Sequence, residues 1–95
     1  MTVADLRVLI RQDVGLAHVL PLALHVLREN PMAEGDLYEG DLLSAVLTRH
    51  PETWKTWPEL ARDLRLIVSG LVDPPSPLGQ EASRFLALHA ARWRG

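Results

Sequence analysis

Five carboxylates crowd one short stretch of this chain: Glu29, Glu34, Asp36, Glu39 and Asp41. Pro31, Gly35, Gly40 and Tyr38 lie among them, and no Lys or Arg falls between Arg28 and Arg49. Acids at such a density can bind a cation, cap helices, or offer a negative face to a basic protein surface. The cation reading fails on spacing. A calcium loop needs acids at alternating positions, Gly at the sixth and Glu at the twelfth. Counting from Asp36, Tyr38 takes the third place and Asp41 the sixth. His18, His25 and His50 lack the spacing of a zinc site. Gly35 and Gly40 are five apart with acids between them, which would repel a phosphate.

Catalytic constellations are sparse. His25 and Glu29 are four apart, so one helical turn can bring them together as a base and its orienter. The same spacing serves equally as a surface ion pair. Ser44, Ser69, Ser76 and Ser83 stand at expected helix surfaces or caps, outside any nucleophile elbow. The chain has no Cys, hence no disulfide and no thiolate nucleophile. The sequence therefore predicts no catalytic residue, no metal and no cofactor.

Two readings of the acidic stretch remain. In the first, Gly35 and Gly40 supply positive φ, Asp36 and Asp41 cap helices, and Glu34 and Glu39 are merely solvated. In the second, Glu34, Asp36, Tyr38, Glu39 and Asp41 form a negative patch that meets a basic partner. Charge pairing of that kind speeds encounter and sets specificity more than it adds affinity. Basic surfaces often belong to nucleases, whose own ligand is polyanionic.

The elements that must position these residues follow from composition and period. The 95 residues are 47% apolar and 23% charged, which suits one soluble globular domain over residues 1–95. A formal charge of −2 argues against a dedicated nucleic-acid binder. The opening residues lack a basic start, and Asp5, Arg7, Arg11 and Asp13 interrupt any apolar run, so no signal peptide is expected. The uncharged run from Val14 to Leu27 is too short to span a bilayer. These features predict a cytoplasmic protein.

Thr2, with Asp5 three residues on, predicts the start of a first helix striped by Val3, Leu6, Ile10 and Val14. Gly15 breaks it. Leu16 to Arg28 is apolar nearly all round and is expected to be the central helix. Pro21 either kinks it or opens it. Asn30-Pro31 ends it. Asp41 is expected to cap a helix over Leu42 to Arg49. Pro51 opens a turn holding Trp54 and Trp57, which suit a core corner or an exposed anchor, the core being the expected place. Thr56-Trp-Pro-Glu59 has the form of a reciprocal cap. The helix after it carries Leu60, Leu64, Ile67, Val68 and Leu71 inward, with Arg62, Asp63 and Arg65 facing water. Asp73-Pro-Pro-Ser-Pro77 forbids helix. Ser76 then caps a last helix striped by Leu78, Ala82, Phe85, Leu86, His89 and Trp93, with Arg84, Arg92 and Arg94 making its end mildly basic. No segment alternates with period two. The expectation is an all-α bundle of four long helices and one short one.

The stretch LPLALHVLRENPMAEGDLYEGDLL, with Leu6-Arg7, Gly15-Leu16 and Trp54, resembles a family of small immunity proteins of bacterial contact-dependent growth inhibition systems. The resemblance rests on Pro21 to Leu24, Asn30, Pro31, Glu34, Gly35, Asp36, Tyr38 and Gly40 to Leu43, and spans roughly residues 5 to 67. It departs at Glu39, where the family pattern carries Pro, and it finds nothing after Asp73. It implies a protein that binds the C-terminal domain of a cognate toxin, with no direct nucleic-acid or membrane partner and no reaction of its own.

Overall fold

Thr2 opens the first helix as its spacing predicts. Its hydroxyl accepts the Asp5 N–H at 3.1 Å, and the Asp5 carboxylate accepts the Thr2 N–H at 3.0 Å. A computed structural model describes the backbone of residues 1–93 and the side chains of residues 1–88. Among the described residues it holds six helices and no strand: α1 (Val3–Arg11), α2 (Leu16–Glu29), α3 (Asp41–Leu47), α4 (Pro51–Thr56), α5 (Pro58–Ser69) and α6 (Leu78–Trp93). The all-α class holds. The expected count of five does not, because the turn after Pro51 closes into a helix of its own. Pro51 is pre-set for a first helical position, and the His50 imidazole Nδ1 accepts the Glu52 N–H at 3.2 Å.

The helix at the centre is α3, not α2. All seven residues from Asp41 to Leu47 are buried. α1, α2 and α6 pack against it. Burying Leu42, Leu43 and Val46 stabilises the fold by roughly 1.5–3 kcal/mol each. α2 is apolar in composition yet one-sided in place. Val19, Leu20, Ala23, Leu24 and Leu27 turn inward, while His18, Pro21, Leu22 and His25 share an exposed face. Pro21 lies inside the continuous helix, on that outer face. The carbonyl of Ala17, which Pro21 cannot serve, is thus on the solvent side.

Trp54 is buried and meets Phe85 of α6 edge to face, with ring centroids 5.6 Å apart at 77°. Trp57 is half-buried against the same core. The core reading of this pair is correct. The expected Thr56 cap does not form. Its hydroxyl instead donates to the Glu52 carbonyl within α4, and α5 begins at Pro58 with no side-chain cap. Asp63 is not simply solvated, since Arg28 of α2 donates to it at 3.0 Å. Arg65 is half-buried and also has a partner. At α6 the Pro77 carbonyl accepts the first helical bond, from Glu81 N–H, so the cap position belongs to Pro77 rather than Ser76. Leu78, Ala82 and Phe85 face inward. The side chains of His89, Arg92 and Trp93, and all of Arg94, lie outside the described residues. No described helix is long and apolar enough to cross a membrane.

Candidate partner-binding face

The acidic stretch is an ordered loop pinned at both ends. Asn30 leaves α2 in an extended conformation, and its side-chain oxygen accepts the Met32 N–H at 3.3 Å. Ala33 is buried and donates its N–H to the Asn30 carbonyl. Gly40 N–H donates to the Met32 carbonyl at 3.1 Å, closing residues 33–39 into a single excursion.

Asp41 holds that excursion from beneath. Its carboxylate accepts the Gly35 N–H at 2.6 Å and the Leu37 N–H at 3.0 Å. The residue is only 2% exposed, so these bonds replace the water the charge has lost. Asp41 is therefore not the N-cap of α3. Gly40, at φ +89°, takes that position, and Asp41 is the first helical residue with its side chain turned back to the loop. Its negative charge also lies where the helix dipole favours it.

Arg7 completes the arrangement from α1. Its Nε donates to Asp36 at 2.9 Å and lies 3.7 Å from Asp41. The Arg7 side chain is mostly buried, whereas Asp36 is largely exposed. Asp36 caps no helix, and its charge is spent on this pair.

The two glycines serve different ends. Gly40 needs its left-handed backbone, and a Cβ there would come within 3.0 Å of Leu78 and Met32. Gly35 has no positive φ. It is required for close approach, because a Cβ would stand 3.1 Å from one Asp41 oxygen and 3.3 Å from the Ala4 Cα.

The loop thus divides the predicted residues. Glu34, Asp36, Tyr38 and Glu39 reach the surface, and Asp41 lies under them. Between them Leu37 is 61% exposed and Tyr38 45% exposed. The loop thus presents an apolar pair set among exposed acids. Leu37 was not singled out in the sequence because it reads as one more helix-building leucine. Arg7 was missed because its partner is 29 residues away, beyond any local pattern.

The other candidates are not brought together. His25 and Glu29 are exposed and form no ion pair with each other. Ser44 is buried within α3, and the Ser69 hydroxyl donates to the Arg65 carbonyl at 2.7 Å. Among the described residues no three His, Asp or Glu side chains converge as metal ligands. A groove of about 1030 Å³ opens between α4 and α6. Leu47, Trp54, Phe85 and Leu88 line it together with Lys55 and Arg84, and the acidic loop takes no part in it.

A family model described as CDI immunity proteins matches residues 1–64, from α1 into α5 and including the whole acidic loop. No curated protein matches the chain.

Proposed function

The chain belongs to the CDI immunity proteins, which neutralise a toxin, and we propose that it does so by laying the 34–39 loop over a basic surface of that toxin. Glu34 and Glu39 would supply the charge, Leu37 and Tyr38 the apolar contact, Asp36 a fixed contact at the surface, and Asp41 the support from below. The observation that carries this reading is the pairing of fixed backbone with exposed apolar side chains. Gly35 and Leu37 are tied by their N–H groups, yet Leu37 and Tyr38 remain open to solvent. A rigid anchor loses little freedom on binding, so more of its contact energy appears as affinity.

A basic surface of this kind suits a toxin whose substrate is polyanionic, a nuclease being the simplest case. The contact would occlude that surface by one-to-one binding with the toxin's C-terminal domain. In this reading residues 1–95 act as one immunity domain in the cytoplasm, without cofactor and without turnover.

Co-expression with the cognate toxin domain tests the proposal. Cells carrying both should survive, and the two polypeptides should co-purify in a one-to-one complex. Death of the cells despite abundant folded protein, or survival with no complex, would contradict it.

A further inference from the structure

We infer that Arg7 is a positioning residue for toxin recognition, acting through Asp36 without touching the toxin itself. The inference rests on the loop reading above and adds a residue outside the loop to it. Arg7 stands on α1, mostly buried, with Nε 2.9 Å from Asp36 and 3.7 Å from Asp41. Asp41 grips the backbone of the loop at Gly35 and Leu37, and Arg7 grips its side chain at Asp36. The segment between 35 and 37 is therefore fixed from two directions.

The reach to Asp36 is informative. A guanidinium needed only to compensate buried Asp41 would have no reason to place its shortest bond on an exposed carboxylate. With its Asp36 end open to solvent, the pair adds little to folding. What the bond does is fix where Asp36 points and cancel its charge. Glu34 and Glu39 are then left as the loop acids with no ion-pair partner among the described residues. They carry the attraction, and Arg7 and Asp36 carry the shape. Loss of shape shortens the life of a complex, whereas loss of charge slows its formation.

The test is a mutant cycle read as rates. The full chain and the variants Arg7→Gln, Asp36→Asn and Arg7→Gln/Asp36→Asn are bound to the cognate toxin domain, made inactive at its own catalytic site. Each single variant should dissociate about tenfold faster with association changed less than about twofold, and the double variant should dissociate no faster than Arg7→Gln. In the free chain, amide exchange at Gly35 and Leu37 should quicken in Arg7→Gln while that of α2 and α5 is unmoved. Should Arg7→Gln fail to fold, Arg7→Lys and Asp36→Asn, which keep a charge or alter only an exposed group, carry the same comparison. Dissociation within about twofold of the parent in the single variants would overturn the inference. So would multiplying effects in the double variant, which would mean that Arg7 meets the toxin directly. Failure of the loop reading itself looks different: Glu34→Lys/Glu39→Lys would then bind at the parent rate.

Discussion

The Asp41 carboxylate accepts the Gly35 N–H at 2.6 Å, and this bond joins the first turn of α3 to the tip of the acidic loop. A side chain expected to cap its own helix instead organises the residues before it. The reason is the left-handed Gly40, which takes the cap position and rotates Asp41 into the first turn. From there the carboxylate points back over the loop, and both of its oxygens are engaged.

Removing that carboxylate should be costly. Asp41→Ala leaves two loop N–H groups without their acceptor and Arg7 without its buried neighbour. The expected loss is roughly 2–4 kcal/mol of folding stability. Asp41→Asn keeps one acceptor and should lose less. Urea unfolding followed by circular dichroism checks both.

Gly40 should tolerate no side chain without strain. Gly40→Ala places a Cβ at φ +89° and within 3.0 Å of Leu78. A loss of about 1–2 kcal/mol is expected from the backbone alone. Gly35→Ala should act differently, by pushing Asp41 off the loop. Slower Gly35 exchange in the parent than at residue 35 of the variant would report it.

Asp5 gives a pH signature. The Thr2 N–H and then the Thr2 hydroxyl bond to its carboxylate and hold it below the ordinary aspartate value of 3.8. A carboxyl lowered by folding contributes stability above its unfolded value and loses it as pH falls through its folded value. Asp5→Asn should therefore melt below the parent at pH 7, and the gap should narrow from about pH 4 downward. A gap that widens in acid would contradict the cap geometry.

The contact between Trp54 and Phe85 ties α6 to the part of the chain that the family model covers. Trp54→Ala should cost roughly 3–5 kcal/mol. Phe85→Leu, which keeps most of the volume, should cost far less. Thermal melting separates the two.

What the sequence made legible was local. Thr2 and Asp5 lie three apart and were readable as a pair. The stripe of α5 through Leu64 and Val68, and the ends of α2 at Gly15 and Asn30, were readable from period and breakers. The fine ends were less so. Thr56 had the spacing of a cap, but α4 captured its hydroxyl first. The burial order of α2 and α3 was misread because composition counts apolar residues and does not say which neighbours cover them. At the candidate site the exposed acids were readable and their scaffold was not. Arg7 and Asp36 are joined by the crossing of α1 past the loop, and no spacing along the chain encodes that crossing.

The central claim is that the loop meets the toxin through its charge, and the association rate measures it most directly. Stopped-flow mixing of the inactive toxin domain with the parent and with Glu34→Lys/Glu39→Lys should show a slower second-order rate in the reversal. The difference should shrink at high salt, and the melting temperature should stay unchanged. An association rate, complex lifetime and protection all equal to the parent's would contradict the claim and place the interface elsewhere.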